Sequence, residues 1–414
     1  MTAPAIPETL ELEVQSIAAG GDGVGRSNGL VVFVPRTAPG DRALVRIESV
    51  KRFARGRVER LLSPSSHRVD PPCAHYTRDR CGGCQIQHLE YGAQLEAKQG
   101  IVSDAFQRIA RQPTEVPATR ASDKQWRYRN KLTLAMRRLG HSWTMGLHPF
   151  DDPAAVFQLI DCPITEEGVV AVWREIMNAA SLLPDTGELR GTVRAAGEDI
   201  VIVIRGGTAW PRSESFFDAV PSASSLSWIP ENGRERLLHA RRQTPAGTSF
   251  GQINASVASE LRAYVVQRAS SYAPTKIVDA YSGTGDTATS LASLGARVTA
   301  IELDREAANV CAERLPAGSR ALVGRVENLL MGALPADVVI LNPPRAGLDG
   351  RVTLALERLR QRPRAILYVS CDPATLARDI ARLPHYRVVA VQPFDMFPQT
   401  AHVETVCELV PVAA

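Results

Sequence analysis

From about residue 249 to the end, short apolar runs alternate with helical patterns, and this alternation constrains the fold more than any other feature of the chain. VASELRAYVVQRAS reads as a helix, KIVDA as a strand, TATSLASLG as a helix and ARVTAIELD as a strand. ADVVILNPPR and RAILYVSCDP follow as apolar strands, each running into a polar loop. Such βαβ alternation predicts a doubly wound parallel sheet.

The loop after the first of these strands, YSGTGD, has glycines at 283 and 285 that let the backbone turn sharply and approach a ligand. The next strand ends at Glu302, 19 residues after Gly283, where an acid can accept hydrogen bonds from ribose hydroxyls. NAD enzymes share that spacing. However, the loop is G-x-G rather than G-x-G-x-x-G, and Asp286 sits where a pyrophosphate would lie. Asp279 with YSGTG makes the D-x-x-x-G-x-G pattern of Rossmann-like methyltransferases, which favours S-adenosylmethionine over a dinucleotide or a plain glycine turn. The LNPPR loop at 341–345 ends a later strand, at the sheet edge where such folds bind ligands, and its two prolines fix Asn342 in place.

The 414 residues exceed one compact core, so two or three domains are expected. Residues 11–62 read as short strands between glycine turns, which suggests an OB-like β-barrel, with the Gly20–Gly25 cluster as a hairpin loop. A Ser/Pro-rich linker follows, then a cysteine-bearing segment and a helix over about 91–111. Strands and turns of undetermined order fill 125–243, a mixed α+β pattern. The expected domains are 8–64 (barrel), 65–248 (central, with the 91–111 helix packing on the catalytic domain) and 249–414 (catalytic).

Net charge is only +4, but residues 36–68 hold nine Lys or Arg against three acids. Residues 124–138 hold six and no acid, with Trp126 and Tyr128 among them. Basic runs with aromatics suit a polyanion whose bases can stack, although an Arg-rich solvated face reads the same way. No apolar run spans a bilayer and the first ten residues lack a signal-peptide pattern, so a cytoplasmic protein with no membrane partner is expected. Seven cysteines are an odd number that argues against a disulfide framework and for metal ligation or nucleophilic chemistry.

Cys371 falls at the end of a strand before a helix, a setting for a thiolate nucleophile, although a lone cysteine there is more often filler. Glu404 lies in a strand-like segment, HVETVCEL, where a lone acid is usually surface decoration. Together they meet a definite need. Uracil C5 is a weak nucleophile until a thiolate adds to C6. After methylation C5 still carries its hydrogen, which a base must remove before the thiolate leaves.

Five blocks then appear in order: FGQIN at 250–254, DAYSGTGD, NPPRAGL, SCDPATLARD and HVE. With them the chain resembles the RNA 5-methyluridine methyltransferases, which modify 23S ribosomal RNA or the tRNA T-loop. Its N-terminal barrel looks like the TRAM domain of the ribosomal-RNA branch. The resemblance implies Cys371 as nucleophile and Glu404 as proton acceptor. It implies a cofactor site for S-adenosyl-L-methionine lined by Gln252, Tyr281, Asp286, Glu302, Asn328 and Asn342. Asn342 replaces the family's usual Asp. Its oxygen can accept from uracil N3–H, but its amide could also face a cytosine.

Cys73, Cys81 and Cys84 form C-x7-C-x2-C, with Cys162 78 residues beyond. Four thiolates suit zinc or an iron–sulfur cluster, and spacing alone does not decide between them. The resemblance favours [4Fe–4S], although the first gap is two residues longer than the family's. The implied partner is RNA, 23S rRNA above tRNA, with a monomer as the default state. An exocyclic-amine methyltransferase is a weaker reading, because Arg345 stands where an aromatic would stack the base. A non-catalytic RNA-binding or assembly protein on the same fold is the reading from another class.

Overall fold

The computed structural model describes residues 7–140, 142–242 and 252–412. The chain divides into two compact units, one of Met1–Val69, His88–Asp123 and Ser256–Ala414 and one of Asp70–Gln87 and Lys124–Ala255. Among the described residues no helix is long and apolar enough to cross a membrane.

The first unit begins with a closed barrel of β1 (Thr9–Ile17), β2 (Gly23–Ser27), β3 (Leu30–Val34), β4 (Arg42–Val50) and β5 (Ala54–Ser63), in the order β1-β2-β3-β5-β4. Alternate residues Leu10, Leu12, Val32, Val34, Ala43 and Val45 fill its interior, the two-residue period of a strand with one buried face. The glycine cluster is not simply a loop: Gly23 and Gly25 lie inside β2. A Cβ on Gly25 would stand 2.5 Å from the Glu13 carbonyl and 2.7 Å from the Leu12 side chain. Glycine is used there for close strand approach.

The second unit is a seven-stranded sheet. Its strands are β6 (Lys131–Leu139), β7 (Ser142–Leu147), β8 (Phe157–Gln158), β9 (Glu188–Ala196), β10 (Asp199–Arg205), β11 (Ser225–Ile229) and β12 (Arg236–Ala240), ordered β12-β11-β10-β9-β6-β7-β8. Helix Glu167–Asn178 presents Val169, Val172, Trp173 and Ile176 to it, all buried. That i, i+3, i+4, i+7 spacing makes one apolar helix face.

The remainder of the first unit carries β13 (Lys276–Ala280), β14 (Arg297–Glu302), β15 (Arg320–Val323), β16 (Val338–Leu341), β17 (Ala365–Ser370), β18 (Tyr386–Phe394) and β19 (Glu404–Pro411). Their order is β15-β14-β13-β16-β17-β19-β18. β16 and β17 are buried at every residue, as continuous apolar strands covered on both faces should be. The sheet is not wholly parallel: β19 lies antiparallel between β17 and β18. Nine residues (395–403) join β18 to β19. A parallel crossover needs a dozen or more, so this connection returns the chain in the opposite sense. Helix Tyr91–Ala105 and the π-helical turn Phe106–Ala110 pack on helix Pro373–Ile380, which follows β17.

Candidate active site

β13 ends in the loop 281–285. Tyr281 (φ 62°), Gly283 (φ 56°) and Gly285 (φ 81°) all take left-handed backbone, which costs a tyrosine far more than a glycine. A Cβ on Gly285 would lie 2.3 Å from the Cys311 Sγ. Glu302, at the end of β14, turns back onto this loop: its Oε2 accepts from the Gly283 N–H at 2.9 Å and its Oε1 from the Asp304 N–H at 2.8 Å. Asp286 opens the following helix and is held by Arg262 at 3.1 Å and Arg314 at 2.8 Å. Arg314 also donates to the Thr284 carbonyl at 2.9 Å, so this cation clamps the loop. Burial pushes the Asp279 carboxyl up to about 7 despite the backbone N–H of Ala288, and nearby Glu302 adds to the rise. Among the described residues its Oδ2 has no hydrogen-bond partner.

Asn328 lies on helix Val326–Ala333, just beyond β15, its Oδ1 accepting from Arg351 at 3.2 Å. Asn342 directly follows β16, and its N–H donates to the Ala280 carbonyl at 3.2 Å. Tyr281, Asp286, Glu302, Asn328 and Asn342 therefore all lie at the carboxyl ends of β13–β16, in the turns that leave them or in the first turn of the helix that follows. Gln252 belongs to the other compact unit, where its carbonyl accepts from the Asn130 side chain at 2.9 Å. Phe250 and Gly251 of its motif lie outside the described residues.

Cys371 directly follows β17 and is half-buried. Asp372 caps the helix that begins there, accepting from the Thr375 N–H at 2.9 Å. Across the ladder Ser370 pairs with Thr405. Because β17 and β19 are antiparallel, the next residue out on each strand is Cys371 on one and Glu404 on the other. Glu404 is 8% exposed with Oε2 unpartnered. Burial lifts its carboxyl to about 8, with Arg345 pulling the other way. Burial and then the nearby Glu404 push the Cys371 thiol up, while Arg345 favours the thiolate.

Arg345 thus acts on both groups, a position that the sequence reading missed. Its only signal was an arginine directly after the two prolines. The loop carrying it is fastened by buried Asp379, whose Oδ2 accepts from the Leu348 N–H and the Tyr368 hydroxyl, each at 2.8 Å.

In the second unit Cys73, Cys81, Cys84 and Cys162 line one cavity of about 100 Å³ together with Leu159 and Ile164. Burial and then Cys162 push the Cys84 thiol up, and burial raises Cys162 as well. Among the described residues no three His, Cys, Asp or Glu side chains are arranged to hold a single metal ion.

A glycine loop after the first strand, an acid ending the second and an antiparallel strand set into an otherwise parallel sheet define a Rossmann-like methyltransferase. The family model described as tRNA (Uracil-5-)-methyltransferase matches residues 316–410, and the TRAM domain model matches residues 7–58. A Listeria monocytogenes protein named as an uncharacterized RNA methyltransferase is 30% identical over 97% of both chains. One from Thermosynechococcus vestitus with the same description is 33% identical over 97% of this chain and 98% of its own. The crystal structure of Pyrococcus abyssi tRNA (uracil-54, C5)-methyltransferase in complex with S-adenosyl-L-homocysteine is similar at a TM-score of 0.68 and 25% identity, covering 97% of this chain and all of that one. The chain belongs to the RNA (uracil-5-)-methyltransferase family.

Proposed function

We propose that this enzyme methylates C5 of a uridine in 23S ribosomal RNA, with Cys371 as nucleophile and Glu404 as base. The observation that carries this reading is the β17–β19 register, which faces the two residues at the ends of adjacent strands. S-adenosylmethionine supplies the electrophilic methyl group, and the S-adenosyl-L-homocysteine bound in the Pyrococcus abyssi structure supports that choice. The glycine loop, Tyr281 and Glu302 hold it, with Asp286 and Asn328 completing the site.

The Cys371 Sγ adds to C6, breaking the C5–C6 double bond and placing the electrons as an enolate toward O4. C5 then takes the methyl, the donor's sulfur–methyl bond breaking to leave S-adenosylhomocysteine. Glu404 removes the remaining C5 proton, the double bond re-forms and the C6–S bond breaks, returning the thiolate. The uridine must leave its stack to meet both residues. Arg345 favours the charged form of Cys371 before addition and of Glu404 before proton removal. The Asn342 side-chain oxygen accepts from uracil N3–H.

The barrel and the basic run at 124–138 hold the RNA. Cys73, Cys81, Cys84 and Cys162 hold a structural [4Fe–4S] cluster. Four thiols around one cavity suit a cluster of several atoms better than one ion, whose thiolate ligands sit only about 2.3 Å away.

Nucleoside mass spectrometry tests the reaction, after incubation with labelled S-adenosylmethionine and unmodified 23S and transfer RNAs. Labelled 5-methyluridine from 23S RNA, absent with Cys371→Ala, is expected. Label only in tRNA would move the substrate to the T-loop, and 5-methylcytidine would show that Asn342 redirects base choice.

A further inference from the structure

Glu404 opens β19 directly after the connection 395–403. Connections ordinarily run over the surface, because their backbone groups need water. This one is buried at Asp395, Met396, Gln399, Thr400, Ala401 and Val403. The Arg120 carbonyl accepts from the Asp395 N–H at 2.9 Å, and one face of helix Tyr91–Ala105 meets further polar groups of the connection. Lys98 and Asp395, both fully buried, form an ion pair. The Lys98 ammonium also donates to the Phe397 carbonyl at 3.0 Å. Gln94 and Gln399 pair reciprocally: the Gln94 Nε2 donates to the Gln399 Oε1 at 3.0 Å, and the Gln399 N–H donates to the Gln94 Oε1 at 2.9 Å. Gln399 is held at φ 72°, a left-handed backbone that glutamine rarely adopts.

Gln94 and Lys98 are four residues apart and so share a helix face. They fix the connection at 395, 397 and 399. A buried ion pair is a poor way to gain stability compared with apolar packing, but it specifies geometry. Among the described residues no hydrogen-bond partner meets the Glu404 Oε2, so its own side chain does little to fix its position. Where the carboxylate stands is set by the backbone that delivers it.

We infer that Lys98 and Gln94 are positioning residues for Glu404, setting its carboxylate against the C5 proton of the Cys371-bound uridine. The inference rests on the reading of Glu404 as the base. A slip of about 1 Å at a reacting group can cost about 100-fold in rate. Disturbing the anchor therefore slows proton removal and spares the earlier addition of Cys371.

The test follows formation and decay of the covalent protein–RNA adduct by rapid quench and denaturing gels, using transcribed 23S and transfer RNAs. It compares wild type, Lys98→Met, the charge-free double variant Lys98→Met/Asp395→Leu, and Glu404→Gln as the reference for a lost base. In both anchor variants adduct formation stays within about threefold of wild type and decay slows about 10- to 100-fold. The deuterium isotope effect on decay with 5-deuterouridine RNA grows as well. Should Lys98→Met fail to fold, the double variant, which leaves no buried charge unpaired, carries the test alone. Decay at the wild-type rate in the double variant, while Glu404→Gln traps adduct, overturns the inference. Formation and decay falling together by the same factor also overturns it, because that is what a merely structural role gives. No adduct in Glu404→Gln would instead sink the reading of Glu404 itself.

Discussion

Replacing Glu404 with Gln is expected to stabilise the protein, but only at high pH. Burial lifts the Glu404 carboxyl from its ordinary 4.5 to about 8, Arg345 offsetting part of the rise. In the unfolded chain the group returns to the ordinary range. The folded state therefore holds this proton more tightly than the unfolded one. The group's stabilising contribution is full below about pH 4.5 and is lost as pH climbs through 8. Each unit in that window is worth about 1.4 kcal/mol, so wild type loses about 4 kcal/mol between pH 5 and pH 9. Glutamine has no such proton. Its amide adds donors where Oε2 already lacks a partner, at a cost of about 1–3 kcal/mol at every pH. The variant should thus be the less stable protein at pH 5 and the more stable one at pH 9. Urea unfolding followed by far-ultraviolet circular dichroism across that range measures the difference, and titrations common to both proteins cancel. Tryptophan fluorescence would report the wrong unit, because Trp126, Trp143, Trp173, Trp210 and Trp228 all lie outside the one that holds Glu404. A stability difference independent of pH, or one moving in favour of wild type as pH rises, would refute the assignment of a buried, proton-retaining carboxyl.

Gly285→Ala places a methyl 2.3 Å from the Cys311 Sγ at φ +81°; S-adenosylhomocysteine affinity by calorimetry should fall at least about tenfold, with overpacking costing about 1–3 kcal/mol. Unchanged affinity would remove the loop from the cofactor site. Asp41 in the barrel is fully buried and accepts from Ala38, Ser65 and Arg68. Burial pushes its carboxyl up, but the Arg68 and backbone hydrogen bonds outweigh that and hold it below the usual range. Its stabilisation is therefore present above about pH 4 and lost as pH falls further, so Asp41→Asn should cost about 3 kcal/mol at pH 7 and progressively less in acid, read by urea unfolding. Anaerobically purified protein should be brown and contain iron, and Cys84→Ser should lose that iron by elemental analysis. A colourless, iron-free wild type would exclude the cluster.

The central strands β13, β14, β16 and β17 and the helix after the glycine loop were legible because each carries a plain pattern, VVIL and AILYVS being unbroken apolar runs. The helices Arg305–Arg314, Val326–Ala333 and Gly350–Glu357 and the strands β15 and β18 were not read, because their apolar positions are too few or too mixed to show a period. Cys371 and Glu404 were singled out through chemistry, since one thiol and one carboxylate are what the proposed reaction needs, and the β17–β19 register sets them at the ends of neighbouring strands. The sense of β19 was not legible, because an apolar strand reads the same in either direction and only the nine-residue connection settles it. Nor was the role of helix Tyr91–Ala105. Its Gln94 and Lys98 look like ordinary solvated positions, and what makes them interior is a pairing with residues about 300 positions away. Arg345 was visible as a residue but not as a charge acting on Cys371 and Glu404, because that depends on how Asp379 folds its loop.

The direction of β19 is also what the proposed two-residue reaction requires of this fold. In a purely parallel sheet every strand reaches the ligand edge at its carboxyl end, and each side chain there sits on a loop that leaves the sheet. β19 instead enters at that edge, so Glu404 is the first residue of a strand, registered against β17 and β18. In the proposed mechanism Cys371 leaves one strand where Glu404 enters its neighbour, and a single hydrogen-bonded ladder sets their separation. The cost is burial: a carboxylate at the start of an interior strand is lifted to about 8. At neutral pH only about a tenth of it is ionised, so Arg345 and the arriving uridine must favour the charged form when the C5 proton is to be removed. Adduct decay should accordingly quicken about tenfold per pH unit below 8 and level off above it. A flat profile between pH 6 and 8 in single-turnover decay would mean that proton removal is not the slow step, or that Glu404 does not perform it.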